Sequence, residues 1–103
     1  MKIKFAGLNN LSDEEKSLFE TLCNDHCEKF ERYFGRYLKP ESEINLGIKK
    51  YEKDGKRVKY SVHLHFPIPK ANLTVSADDW DLHLVCKECF DKLNNEAKKH
   101  YKA

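Results

Sequence analysis

Apolar and polar residues alternate along four short segments of the chain, and this pattern predicts β-strands with one buried face each. The segments are residues 2–6, 43–51, 57–66 and 71–77. The last three are separated by two predicted turns, Lys53-Asp54-Gly55-Lys56 and Pro67-Ile68-Pro69-Lys70. An Asp-Gly pair tolerates positive φ, and proline cannot donate a hydrogen bond to a strand ladder, so both segments interrupt the sheet.

Two longer segments carry apolar residues at steps of three and four, which predicts amphipathic helices. The first begins at Ser12, because Ser12 and Glu15 form the pattern of a capping box, and it ends near Gly35. The second is predicted to be capped by Asp78 and Asp79, and its apolar stripe runs through residues 82–97.

The predicted order is β-α-β-β-β-α within one domain, residues 1–103. A helical crossover makes the first two strands parallel, whereas the short later connections make the other pairs antiparallel. Each strand has one apolar face, so both helices must cover the same side of the sheet. We therefore expect an α+β fold, a four-stranded mixed sheet with two helices packed on one face.

The uncovered face of this sheet is predicted to be basic, although the net charge of the whole chain is only +2. It carries Lys2, Lys4, Lys49, Arg57 and Lys59, together with His63 and His65. Glu43 is the only acid among the alternating positions, and the end of the chain adds Lys92, Lys98, Lys99 and Lys102. The molecule is thus expected to be basic on one side, a surface that attracts phosphate backbones. The alternative is a solvated, lysine-rich face without a partner.

Aromatic residues give this face no predicted stacking platform. Tyr60 and Phe66 fall on the buried side of their strand. Sheets that read RNA bases present exposed aromatics instead. The pattern therefore predicts recognition of RNA backbone and shape rather than of bases.

The sequence resembles the ribosome hibernation promoting factor and ribosome-associated inhibitor family, whose members are also called sigma-54 modulation proteins. The resemblance lies in the acidic helix start from Ser76 to His83, in Asp91-Lys92-Leu93 with the lysines that follow, and in Lys29-Phe30-Glu31-Arg32-Tyr33. These motifs are short, and the element order extends the resemblance over the whole chain.

The resemblance implies a cytoplasmic protein that docks on the small ribosomal subunit, against ribosomal RNA in the mRNA and tRNA channel, and inhibits translation under stress or in stationary phase. It implies that Lys29, Arg32, Lys92, Lys98 and Lys99 contact rRNA phosphates. It also implies a short form that lacks the dimerising C-terminal domain of long members and is monomeric off the ribosome. His83 departs from the family pattern, since an aromatic is common there.

Four cysteines occupy the apolar stripes of the two helices, and two interpretations of them stay open. Cys23, Cys27, Cys86 and Cys89 would form a tetrahedral zinc site if all four thiolates converged. The favoured interpretation is that they are small core residues packing the helix seam, with no metal. Without a signal peptide, reduced thiols are expected.

Other classes of function have little support in the sequence. No apolar run approaches the ~20 residues of a membrane span. No cluster supplies a nucleophile, a base and a charge stabiliser together, so we expect no enzymatic activity, no small-molecule substrate and no cofactor. The alternatives to a hibernation factor are a general structured-RNA-binding domain and a zinc-stabilised interaction domain.

Overall fold

The structure is a computed structural model, and it describes residues 1–53, 55, 57–69 and 71–101. Its strands are β1 (Lys2–Ala6), β2 (Glu43–Lys53), β3 (Arg57–Ile68) and β4 (Ala71–Asp79). Its helices are α1 (Asp13–Phe34) and α2 (Leu82–His100), and short 3-10 turns lie at Leu8–Asn10 and Gly35–Tyr37. The predicted element order is confirmed.

The sheet has the order β1-β2-β3-β4, with β1 parallel to β2 and the other neighbours antiparallel. This is the predicted mixed sheet with two helices. One continuous core lies between the helices and one face of the sheet, and Phe19, Phe30, Phe66 and Phe90 are among its largest fully buried side chains. Phe30 of α1 meets Phe66 of β3 edge to face, with ring centroids 5.5 Å apart.

The two helices run in the same direction. His26 of α1 stacks on Phe90 of α2, with ring centroids 5.0 Å apart. Toward the C-terminal ends of both helices, the ring centroids of Phe34 and Tyr101 lie 5.8 Å apart. Rising residue numbers in α1 therefore match rising numbers in α2. Both C-termini, with the basic residues of their last turns, lie at the same end of the molecule.

The predicted capping box at the start of α1 is present, and it is tied to the sheet. The Ser12 side chain accepts a hydrogen bond from the Glu15 N–H, and Glu15 accepts one from the Ser12 N–H. Lys50 of β2 and the Tyr60 hydroxyl of β3 also donate to the Glu15 carboxylate. Burial alone would raise the pKa of Glu15, but these donors outweigh it and lower the pKa from 4.5 to about 2.

Two turns follow the physics of their residues. Gly7 has φ +83, and a Cβ there would overlap the Ile48 carbonyl oxygen, so glycine is required where the chain leaves β1. Gly55 has φ +68, as the Asp-Gly prediction requires. Asp54, Lys56 and Lys70, which complete the two predicted turns, lie outside the described residues.

Two element boundaries differ from the prediction. β3 continues through Pro67 to Ile68, where a turn was predicted, because both residues still pair with β4, whereas pairing with β2 ends at His65. Beyond that point Pro67 needs no N–H on the β2 side. β4 continues to Asp79, so the prediction that Asp78 and Asp79 cap α2 is wrong, and Asp81 accepts the capping bond from the Leu84 N–H.

Candidate nucleic-acid interface

The predicted basic residues of the strands lie on the sheet face opposite the helices, here called the sheet surface. Strand register lines Lys4 up with Asn45, His65 and Thr74. The members predicted from sequence are Lys2, Lys4, Lys49, Arg57, Lys59, His63 and His65. All of them are exposed or half-buried, so strand alternation assigned their side correctly.

A shallow open depression of ≈ 380 Å³ crosses the middle of the sheet surface. Gly47 forms its floor, beside His63 and His65, and Lys4 stands at its side. A Cβ at Gly47 would come no closer than 3.9 Å to its nearest neighbour, so a side chain would fit there. The depression thus exists because Gly47 has no side chain. The backbone conformation at Gly47 does not itself require glycine.

The sheet surface carries more negative charge than the sequence predicted. Glu43 pairs with Lys4 at 3.3 Å. Asp78 also lies on this surface, opposite Ser61, because β4 extends further than expected. Glu43 is the only acid among the positions predicted to alternate, but the longer β4 adds Asp78, so the surface is basic in balance rather than throughout.

Exposed aromatic residues also lie on the sheet surface, contrary to the sequence prediction. Tyr51 faces Lys59 across the β2–β3 pair and is 45% exposed, and Trp80 is 44% exposed. The Arg57 guanidinium lies 4.3 Å from the centre of the Trp80 ring. Continuing the alternation of β2 to residue 51 would have found Tyr51, but nothing in the sequence places Trp80 beside Arg57.

A second candidate surface lies at the C-terminal ends of the parallel helices, here called the helix-end groove. It consists of two adjoining hollows of ≈ 400 and ≈ 170 Å³ that share Tyr33 and Lys98. Their lining residues are Lys29, Tyr33, Phe34, Arg36, Tyr37, Asn94, Lys98 and Tyr101. The groove brings together Lys29 and Lys98, two residues that the resemblance implied as rRNA contacts from separate helices.

The two candidate surfaces lie on different sides of the molecule. The sheet surface faces away from the helices, whereas the helix-end groove is formed by them. The prediction that the molecule is basic on one side is thus wrong. The sequence pattern could not show this, because the positions of the helical lysines depend on how α1 and α2 pack.

Several residues predicted to contact rRNA form hydrogen bonds or ion pairs within the protein. The Lys92 ammonium donates to the Ser76 carbonyl of β4 at 2.7 Å. Arg32 pairs with Glu28 at 3.7 Å, and Lys99 pairs with Glu96 at 3.6 Å. Exposed pairs of this kind are weak, so Arg32 and Lys99 stay available to an anion at small cost. Lys102 lies outside the described residues.

The four cysteines lie buried along the seam between the helices. Within the described ranges, which include all four, no three potential metal ligands are gathered as a metal ion requires. A hydrogen bond with Cys86 and burial both raise the pKa of Cys23, and burial raises the pKa of Cys27 and of Cys89 to about 12. The burial of all four thiols fits the interpretation that they pack the helix seam.

Known proteins match this chain in structure and not in sequence. No family model matches it, and no curated protein matches it significantly. A ribosomal subunit interface protein from Coxiella burnetii has 16% identity and a TM-score of 0.62, with each chain covered over 100% of its length. The Protein Y N-terminal domain from Thermus thermophilus has 19% identity and a TM-score of 0.58, covering 97% of this chain and 99% of that one. At such identity the likeness shows a common fold, the one that the sequence resemblance implied.

No helix in the described part of the chain is both long and apolar enough to span a membrane.

Proposed function

We propose that this protein is a cytoplasmic ribosome hibernation factor. It binds rRNA of the small subunit within the mRNA and tRNA channel and inhibits translation under stress or in stationary phase. The activity proposed is binding, with no catalytic step. The observation that carries the proposal is the end-to-end fold likeness to a ribosomal subunit interface protein and to Protein Y.

The distribution of positive charge supports a channel over an open RNA surface. Lys4, Lys49 and Lys59 belong to the sheet surface, whereas Lys29 and Lys98 line the helix-end groove. A straight RNA duplex would meet only one of these surfaces at a time, because the two surfaces face in different directions. RNA that surrounds the protein can meet both, and each lysine then displaces a counterion from a phosphate.

Sedimentation with purified bacterial small subunits tests the proposal. The protein is mixed with excess subunits at low salt and centrifuged through sucrose at several salt concentrations. We expect co-sedimentation that weakens steeply as salt rises, because phosphate contacts dominate. Added protein should also lower the yield of a cell-free translation reaction. Free migration at the lowest salt, with intact subunits in excess, would refute the proposal.

A second candidate is a general binder of structured RNA. The sheet surface favours it, because Asn45, Thr74 and Ser76 place hydrogen-bonding groups between its cations, suited to sugars and phosphates. An unrelated RNA duplex, added as competitor to the sedimentation assay, separates the two candidates. A hibernation factor should stay on the subunit at duplex concentrations that strip a general binder from it.

A further inference from the structure

The helix-end groove has an aromatic wall that the fold does not bury. Tyr33 is 67% exposed, which is the largest value among the exposed large hydrophobic side chains. Its ring meets the buried Phe34 edge to face, with centroids 4.8 Å apart, and the Lys98 ammonium lies 5.4 Å from its centre. These contacts support the ring in this orientation and leave most of it open to solvent.

The groove is lined by a second pair of aromatic rings, which are parallel to each other. Tyr37 and Tyr101 stack with centroids 4.4 Å apart and an interplanar angle of 7°. The Arg36 guanidinium lies 5.5 Å from the centre of the Tyr37 ring. The hollow that these rings and Tyr33 line measures ≈ 400 Å³, toward the small end of the range for small-ligand pockets. It suits a planar group of one or two rings.

The charge of the groove selects the kind of molecule to which that planar group belongs. Lys29, Arg36 and Lys98 line it, and no acidic side chain of the described residues does. Flat aromatic walls among cations are the pattern by which proteins hold single-stranded nucleic acid, with bases stacked on the rings and phosphates on the cations. An acidic peptide would use the cations but would leave the flat walls without a matching partner.

We infer that the helix-end groove binds one unpaired nucleotide of RNA, with its base stacked on Tyr33 and the adjoining phosphates held by Lys29, Arg36 and Lys98. The inference rests on the proposed function in taking RNA as the partner. It adds that part of the recognition is of unpaired bases, whereas the sequence predicted recognition of backbone and shape alone. A base inside a regular duplex is stacked on its neighbours and cannot enter the groove.

Binding of short RNAs to the intact protein tests the inference without ribosomes. A dye-labelled oligoadenylate and a blunt RNA duplex of the same length are titrated with protein, and anisotropy is followed at several salt concentrations. We expect the single strand to bind more tightly than the duplex. Tyr33→Ala should weaken binding of the single strand by about tenfold with the salt slope nearly unchanged, because it removes the stacking ring but no charge.

Three further variants give this test its controls. Tyr33→Phe keeps the ring and should bind within about twofold of wild type. Lys98→Gln should lower the salt slope by about 0.7, the contribution of one phosphate on a single strand. Leu84→Ala, at the other end of α2 and 49% exposed, should leave binding unchanged.

Equal binding of wild type and Tyr33→Ala, or equal binding of single strand and duplex, would overturn the inference. Tyr33→Ala could also weaken binding to small subunits without changing the affinity for single-stranded RNA. The groove would then contact protein rather than RNA, and this result also overturns the inference. The proposed function fails on a different result, the absence of wild-type protein from the sedimented subunits.

Discussion

At the scale of single residues, Glu15 joins the start of α1 to the sheet. Its carboxylate accepts hydrogen bonds from the Ser12 N–H, the Lys50 ammonium and the Tyr60 hydroxyl. Burial and the hydrogen bond to Glu15 raise the pKa of Tyr60 to about 12, so the phenol stays a donor at neutral pH. The sequence predicted the bond with Ser12, which is local, but could not predict the two bonds across 35 and 45 residues.

We predict that Glu15→Gln destabilises the protein by about 1–3 kcal/mol at pH 7, the usual cost of losing hydrogen bonds to a charged group. The folded pKa of about 2 lies below the ordinary value of 4.5. The ionised carboxylate therefore stabilises the fold above pH 4.5, and this contribution disappears as pH falls toward 2. Urea unfolding at pH 7 and pH 3 measures the effect, and the wild-type advantage should shrink at pH 3.

Glu14→Gln is the matched control, because Glu14 is an exposed acid in the same first turn. It should cost much less than Glu15→Gln at pH 7. Equal costs for the two variants would mean that the helix dipole, and not the contacts with Lys50 and Tyr60, explains the role of Glu15.

At the scale of elements, strand alternation and helical periodicity were sufficient to predict the sheet and both helices. They did not locate the start of α2, because Asp78, Asp79 and Asp81 are equally good caps on sequence alone. Pairing decides between them: Asp78 and Asp79 lie opposite Ser61 and Tyr60 in the ladder. The first residue free to cap is Asp81, so a long-range contact sets a local boundary.

We predict that Asp81→Ala lowers the free energy of unfolding by about 1 kcal/mol, since the Leu84 N–H loses its partner. Asp78→Ala should cost less, because Asp78 caps nothing. Chemical denaturation of the two variants against wild type measures the difference. A larger loss for Asp78→Ala would contradict the observed cap.

Lys92 shows how the packing of an element can change the role expected for a residue. The resemblance implies an rRNA contact, but the Lys92 ammonium is bonded to a main-chain carbonyl of the edge strand β4. We predict that Lys92→Met lowers stability by about 1 kcal/mol, a typical net value for one hydrogen bond. In the sedimentation assay, Lys92→Met should bind small subunits more tightly than Lys98→Gln does. If Lys92→Met bound as weakly as Lys98→Gln, Lys92 would have to leave Ser76 for a phosphate in the complex.

At the scale of the whole molecule, two basic surfaces face in different directions. Sequence patterns alone could not separate them, because helical lysines can be assigned to a side only when the direction of the helices is known. The parallel course of α1 and α2 places Lys29 and Lys98 around Tyr33, away from the sheet surface. A partner must therefore enclose the protein to contact the cations of both surfaces at once.

We predict that charge removal from either surface weakens binding to small subunits. The double variants are Lys29→Gln with Lys98→Gln, and Arg57→Gln with Lys59→Gln. Each should lower the salt slope by about 1.5, the contribution of two phosphates. Co-sedimentation at several salt concentrations measures both slopes.

The matched control is Lys16→Gln with Lys87→Gln, which removes the same charge from exposed helix positions outside both surfaces. It should leave the slope nearly unchanged. A loss confined to one of the two surfaces would contradict an enclosing partner and would favour RNA that meets a single face.

The reactivity of the buried thiols at the helix seam can report transient opening of the fold. Alkylating reagents attack the thiolate, and burial leaves Cys27 and Cys89 both inaccessible and protonated at neutral pH. Labelling with iodoacetamide should therefore proceed only through open states, at a rate set by how often the two helices part. Mass spectrometry of each cysteine peptide over time would measure the rate of this opening. Bound subunits should lower the rate of labelling. Rapid labelling of all four thiols in the free protein would show that the seam is not closed.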